Sequence, residues 1–303
     1  MLRAARFLLV PLLLIAIALL VLSQTSQSAV QPKVLSALGD QPLVIAHRGG
    51  KGLWPENSLF AFERAAALGV DMLELDLHLS ADGELVVIHD GTLERTTNGQ
   101  GPVAALSLEH LQALDAGYHW TADGGQSYPY RNQGVRIPTF DEVLERLPAI
   151  PKVIEIKVPD VGMEARLCEA LTANEQTDRV IVGSFYERSL QLFREQCPAV
   201  ATSAGPGSVR LLVALNLVGL GSVLSPSYQA LQIPERHSGI KVASESLMRT
   251  AQARGLSVQL WTINEQPDMR RLLDQGAQAL ITDYPDRALQ LLGRSTRISA
   301  LSD

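Results

Sequence analysis

Two histidines, three carboxylates and two basic residues stand within or at the ends of short apolar runs in this sequence. His47-Arg48-Gly49-Gly50 closes the run Leu43–Ala46, and His89-Asp90 closes Leu85–Ile88. Glu74-x-Asp76 lies inside Met72–Leu79, and Glu155-x-Lys157 inside Val153–Lys157. If these runs are extended, a side-chain period of two puts Glu74 and Asp76 on one face and continues it to His78. The same period pairs Glu155 with Lys157. Three carboxylates are hard oxygen ligands and suit Mg²⁺ or Ca²⁺ better than zinc. Two imidazoles can serve as general acid and general base. Arg48 and Lys157 supply positive charge for an anionic phosphoryl group. Together these groups fit metal-assisted cleavage of a phosphate ester.

Each group has a plainer explanation when taken singly. A lone histidine is usually structural, a Glu-x-Asp pair is usually a solvated face, and Glu-x-Lys is often a surface ion pair. Trp261, which ends a late run, would be a core residue on its own. The conjunction at one end of several separate runs is what points to a site. His78 reads as a supporting or structural residue. His110, His119 and His237 carry no argument.

The elements that must position these groups alternate. Expected strands are Leu43–Ala46, Met72–Leu79, Leu85–Ile88, Val153–Lys157, Val180–Gly183, Ala199–Thr202, Ser222–Ser225, Ser257–Thr262 and Ala279–Ile281. Expected helices include Ser58–Leu68, Phe140–Leu147, Glu164–Ala173, Arg188–Gln196, Ser244–Arg254, Pro267–Gln275 and Pro285–Leu292. Strand–helix alternation implies a parallel sheet with right-handed crossovers. The patterned region, 42–293, is near the roughly 250 residues of one (β/α)₈ TIM barrel. In such a barrel functional groups gather at the C-terminal ends of the strands. A doubly wound open sheet is the alternative, weakened because no glycine-rich phosphate fingerprint follows any strand. The segment 99–138 is rich in turn formers and aromatics and reads as an insertion over the barrel mouth. The stretch Val209–Leu224 is almost wholly apolar; it reads as a buried helix running into a strand, or as a surface that meets lipid.

Composition narrows the function. The chain has 303 residues, 46% hydrophobic and 19% charged, too apolar for a disordered protein. Its 26 Lys+Arg against 32 Asp+Glu give a net charge of −6, which argues against nucleic acid as a partner. Arg3 and Arg6 precede the apolar run Phe7–Leu22, so residues 1–29 read as a secretory signal or a retained membrane anchor. The chain beyond it is expected outside the cytoplasm, with 30–41 as a linker and 294–303 as a tail. Membrane contact is expected through 7–22 and 209–224. The two cysteines, Cys168 and Cys197, read as buried thiols in preference to a disulfide.

At these residues the sequence resembles the glycerophosphodiester phosphodiesterase family, from Leu43 to about Leu292. The matching motifs are HRGG (His47–Gly50), PENS (Pro55–Ser58), MLELDLHLSADGELVVIHD (Met72–Asp90), LERTTNGQG (Leu93–Gly101), IPTFDEVL (Ile137–Leu144), EIK (Glu155–Lys157), WTIN (Trp261–Asn264) and TDYP (Thr282–Pro285). Ser58 stands where the family more often has threonine, an exchange that a hydroxyl helix cap tolerates. The resemblance implies a TIM barrel with a small insertion. It implies His47 and His89 as the catalytic pair, and Glu74, Asp76 and Glu155 as ligands of a divalent ion. It further implies Arg48 and Lys157 on the phosphate, Trp261 on the glycerol side, and Glu56 and Asn57 as support. The implied reaction converts a glycerophosphodiester to sn-glycerol 3-phosphate and an alcohol. Two alternatives are lysophospholipase D action on lysophospholipids, as in membrane-associated relatives, and phospholipase C-like cleavage. A non-catalytic binding barrel is disfavoured because every expected ligand and acid–base residue is present.

Overall fold

The computed structural model describes residues 21–159 and 162–294. Most of the apolar run Phe7–Leu22, and most of the tail 294–303, lie outside these residues. Eleven strands are described: β1 Leu43–Ala46, β2 Met72–Leu79, β3 Leu85–Val87, β4 Lys152–Ile156, β5 Val180–Ser184, β6 Ala201–Thr202, β7 Ala230–Pro234, β8 Arg236–His237, β9 Ile240–Lys241, β10 Ser257–Trp261 and β11 Ala279–Thr282. Eight of them run parallel in the order β6-β5-β4-β2-β1-β11-β10-β7. A parallel bridge between Ser203 and Ala230 brings the last strand back to the first. Two backbone bonds reinforce it, Ala204 N–H to Ala230 O at 2.8 Å and Gln229 N–H to Thr202 O at 2.9 Å. The architecture is therefore the expected (β/α)₈ barrel, not an open sheet. β3 pairs antiparallel with β2 outside the ring, and β8 and β9 form a separate hairpin after β7.

The alternation in β2 explains how the barrel sorts its residues. Leu73, Leu75 and Leu77 face outward into the layer between strands and helices. Met72 points inward, into a cluster with Ile45, Val153, Ile181 and Ile281 that fills the lower barrel. Val34 and Leu35, from the short helix Lys33–Ser36 within the 30–41 segment, close that cluster from below. Glu74 and Asp76 share the inward face of Met72, one and two steps nearer the mouth. The outer helices have clear starts. Ser58 Oγ accepts the Ala61 N–H, and Thr139 forms a capping box with Glu142.

One expected strand was misplaced. Ser222–Ser225 does not form a strand; Gly221–Val223 is a 3₁₀ turn, and the strand is β7, in register with β10 from Ala230↔Ser257 to Pro234↔Trp261. The reason is local chemistry. β7 reads Ala-Leu-Gln-Ile-Pro, so a polar residue and a proline break its apolar signal. Inside the barrel Gln232 donates to Gln259 Oε1 at 2.9 Å, which satisfies the buried amide. The cysteine expectation is also overturned. Cys168 and Cys197 are joined in a disulfide between neighbouring outer helices, with Cα atoms 5.7 Å apart.

The segment 99–138 carries its own small apolar cluster. Val103, Leu111, Val135 and Ile137 pack with Val86, Ile88 and Leu93. Trp120 donates its indole N–H to Lys51 O at 3.0 Å, so the segment rests on the loop after β1. Tyr130 meets Phe60 and Trp120 edge-on, each at 4.9 Å between ring centroids. Among the described residues, no helix is long and apolar enough to cross a membrane.

Candidate active site

The turn after β1 is the first part of the site. His47–Gly49 forms one 3₁₀ turn in which Arg48 holds φ 53°, a left-handed value unusual for a residue with a side chain. Gly49 is required there: a Cβ on it would lie 2.9 Å from both Ala61 Cβ and Phe62 Cδ1 of the helix Leu59–Leu68. The turn aims the Arg48 N–H at Glu74 Oε2, at 2.8 Å. It also sets His47 Nε2 3.9 Å from the same carboxylate oxygen.

Glu74, Asp76 and Glu155 converge. Asp76 and Glu155 are direct partners across the β2–β4 ladder. One oxygen from each of the three carboxylates lies within 4.8 Å of the others. Asn57 donates to Asp76 Oδ2 at 2.8 Å and takes the Asp76 N–H on its own Oδ1 at 3.3 Å. Lys157 Nζ stands 3.1 Å from Glu155 and 3.4 Å from Asp76. Arg48 Nε is 3.4 Å from Asp76 Oδ2.

The electrostatics of this cluster favour a cation. Burial, then repulsion from Asp76, pushes the Glu74 carboxyl well above its ordinary range. Burial also raises Glu155, to about 7, with Asp76 adding to the shift against the pull of Lys157. Asp76 Oδ1 is buried and accepts no hydrogen bond, with only the Lys157 ammonium near it at 3.4 Å. A buried carboxylate oxygen without a hydrogen bond, beside two destabilised carboxylates, is what a hard divalent ion would satisfy, so the residues present fit Mg²⁺ or Ca²⁺.

Each histidine has its own carboxylate. His47 Nδ1 donates to Asp283 Oδ1 at 2.6 Å, and Asp283 Oδ2 accepts from Asn264 Nδ2 at 2.9 Å. His89 Nδ1 donates to Asp90 Oδ1 at 2.6 Å. In both rings this leaves Nε2 free for chemistry. Burial lowers the pKa of both imidazoles, and the adjacent carboxylates offset this only in part. His78 takes the supporting position expected of it, bonding His89 O through Nε2 at 3.1 Å.

Arg95 joins the two halves of the site. Its guanidinium bonds both oxygens of Asp90 and both oxygens of Glu56. Glu56 in turn accepts from Arg48 NH1 at 2.8 Å. Burial alone would raise the Glu56 carboxyl, but the bonds from Arg95 and Arg48 override it and bring it down to about 2. Trp261 stands apart from this network at the end of β10. It meets the exposed ring of Phe185 edge-on, with centroids 5.7 Å apart.

Of the residues singled out in the sequence, His47, Arg48, Glu56, Asn57, Glu74, Asp76, Glu155 and Lys157 form one contact network. His89 joins it through Asp90 and Arg95, and Trp261 lies on the rim. Sequence reasoning assigned no task to Asp283, Asp90, Arg95, Asn264 or Phe185. The first four sit inside the quoted motifs TDYP, IHD, LERTTNGQG and WTIN, so the motifs signalled their presence but not their partners.

A parallel barrel with an acidic, histidine-flanked cluster at the C-terminal strand ends defines the class: a TIM-barrel protein with its polar site at the mouth. A sequence model described as the glycerophosphoryl diester phosphodiesterase family matches residues 47–287, and the chain belongs to that family. A glycerophosphodiester phosphodiesterase of Caldanaerobacter subterraneus is 34% identical over 257 residues, covering 82% of this chain and 97% of that protein. A lysophospholipase D of Mus musculus is 28% identical over 273 residues, covering 82% and 85%. The structure of an Oleispira antarctica phosphodiesterase in complex with the product sn-glycerol-3-phosphate is 27% identical, with a TM-score of 0.66 over 84% of this chain and 97% of that one.

Proposed function

We propose that this chain hydrolyses glycerophosphodiesters to sn-glycerol 3-phosphate and an alcohol, with His47 and His89 as its acid–base pair. The observation that carries the reading is the triad of converging carboxylates flanked by two imidazoles, each held by its own carboxylate. The product found in the Oleispira antarctica relative is the product expected here. A divalent ion held by Glu74, Asp76 and Glu155 would supply Lewis-acid charge to the phosphoryl oxygens. Arg48 and Lys157 add fixed positive charge to the same side of the pocket. One imidazole Nε2 takes the proton of the attacking oxygen, and the other returns a proton to the leaving alcohol. Trp261, with Phe185 against it, forms an apolar wall for the carbon skeleton of the glycerol. Glu56 and Asn57 hold Arg48 and Asp76 in place.

Substrate choice has a second reading, lysophospholipase D action. The exposed Phe185 and Tyr186 at the end of β5, and Ile240 on the hairpin after β7, favour it as an apolar rim. The mouse relative carries that activity in its name. Parallel assays on glycerophosphocholine and lysophosphatidylcholine separate the readings. Faster turnover of glycerophosphocholine supports the first, and the reverse ranking replaces it with the second.

Export is part of the same proposal. Arg3, Arg6 and the apolar run Phe7–Leu22 support it from sequence. The Cys168–Cys197 disulfide supports it independently, because such bonds persist in oxidising compartments. On this reading residues 1–29 are a signal or anchor and 42–293 the catalytic unit. Fractionation of cells carrying the full chain tests it; recovery in the cytosol with free thiols refutes it.

A further inference from the structure

The helix Pro206–Leu217 follows β6 on the outside of the barrel and is the least covered of the outer helices. Only Leu212 is fully buried, with Val209, Val213 and Leu215 packed partly against the core. The opposite face is aliphatic. Leu211 is 52% exposed, Leu217 79% and Val218 68%. Ala214 is exposed between them, and helical spacing puts Leu211, Ala214 and Val218 in one row. Arg210 is the one charged residue of the helix.

The direction of this helix separates it from the catalytic site. Its start is at the mouth, where Gly207 N–H donates to Glu187 Oε2 at 2.8 Å just beyond β5. Its 12 residues rise about 18 Å toward the other end of the barrel. There the following loop meets the N-terminal segment. Ser26 Oγ donates to Ser222 O at 2.6 Å, and Gln27 N–H to Ser225 Oγ at 3.1 Å. Val21 and Leu22, the last residues of the apolar run, are exposed one turn before Ser26. Val21 and Leu22, where the apolar run ends, and the C-terminal end of the apolar helix therefore both lie toward the end of the barrel opposite the catalytic carboxylates.

We propose that this lower flank is a bilayer-docking surface: Leu211, Leu217 and Val218, with Val21 and Leu22, seat in the acyl boundary, and the catalytic mouth stays in the aqueous phase. Lipid fits the chemistry of the surface. It is aliphatic, it lacks the aromatic anchors of a protein hot spot, and its single charge is basic, as anionic headgroups require. On the anchor reading of residues 1–29, on which this inference rests, the apolar run ties the surface to a membrane through the chain that follows it. This placement removes Val209–Leu224 from any acyl-binding task in the site and leaves substrate selection to the mouth.

Depth-dependent quenching tests the proposal. The full chain is placed in vesicles of equimolar phosphatidylcholine and phosphatidylglycerol, with one fluorophore on Val218→Cys or on Ile240→Cys. A lipid-borne nitroxide is the quencher. The label at 218 is expected to shift to the blue and be quenched with vesicles only, and the label at 240 to keep its aqueous emission. Adding Leu211→Ser and Leu217→Ser should abolish the shift at 218 while hydrolysis of glycerophosphocholine in solution stays at the parent rate. Quenching at 240 but not 218 overturns the proposal, because it puts the mouth on the membrane. Aqueous emission at both positions overturns it, and so does a blue shift at 218 without vesicles, which would mean that protein covers the helix. Persistence of the shift in the serine variant also overturns it.

Discussion

Asp283→Asn is a nearly isosteric change that should disable His47 without disturbing the fold. Asp283 is buried, and its two oxygens accept from His47 Nδ1 at 2.6 Å and Asn264 Nδ2 at 2.9 Å. Asn264 cannot turn over to accommodate an amide, because its own Oδ1 accepts the Asp283 backbone N–H at 2.9 Å and the Thr282 hydroxyl at 3.2 Å. The new amide then has two poor choices. With its oxygen toward His47, its NH₂ opposes the NH₂ of Asn264. With its NH₂ toward His47, the imidazole must accept at Nδ1, and its proton moves to Nε2. That tautomer cannot take a proton from the attacking oxygen, and a ring without its carboxylate is less readily charged to serve as the acid, so either role suffers. Losing a charge-assisted hydrogen bond costs about 1.5–3 kcal/mol, or roughly 10- to 150-fold. Loss of acid–base action removes roughly 10²–10⁴-fold. We therefore expect kcat on glycerophosphocholine to fall by about 10²–10⁴, with KM within a few-fold because Arg48 and Lys157 are untouched. Steady-state kinetics beside a thermal melt is the assay. A folded Asp283→Asn protein with kcat within about three-fold of the parent would refute the tautomer argument.

The other expectations concern the cluster, the clamp and the disulfide. Glu155→Gln should abolish divalent-dependent activity yet raise the melting temperature of the chelator-treated protein. Because the folded Glu155 carboxyl is raised to about 7 from 4.5, folding favours its protonated form, so its penalty grows as pH rises through that interval and is complete above about 7. The stabilisation should therefore be present at pH 8 and vanish below pH 4.5, and melts across this range check it. Arg95→Ala unlinks Asp90 and Glu56 and should lower kcat and raise KM together, since one partner holds His89 and the other Arg48; an effect on stability alone would contradict this. Cys168 and Cys197 are 29 residues apart, so chain-entropy reasoning gives their bond about 3.5 kcal/mol. Reduction should lower the denaturation midpoint accordingly while activity below the transition stays unchanged.

Much of this was legible in the residues, for a physical reason. A period of two is enough to place Glu74 and Asp76 on one face of β2, and the barrel register then brings Glu155 beside Asp76. His47 and His89 were visible because they interrupt apolar runs at the ends. Asp283 was not, since its partner is 236 positions away and only barrel closure brings them together. Arg95 was hidden likewise: a lone arginine in a loop gives no sign that it spans two carboxylates. β7 escaped because Gln232 and Pro234 mask its strand character. The disulfide escaped because its two helices become neighbours only when wrapped around the same barrel.

The most direct test follows the products of glycerophosphocholine by ³¹P NMR, with the full chain stripped of divalent ions by chelation and then resupplied with Mg²⁺ or Ca²⁺. The account predicts no turnover when stripped, recovery on adding the ion, and sn-glycerol 3-phosphate as the only new phosphorus species. His47→Ala and His89→Ala should each stay silent in the resupplied sample. Release of phosphocholine, turnover that survives chelation, or near-parent rates in either alanine variant would contradict it.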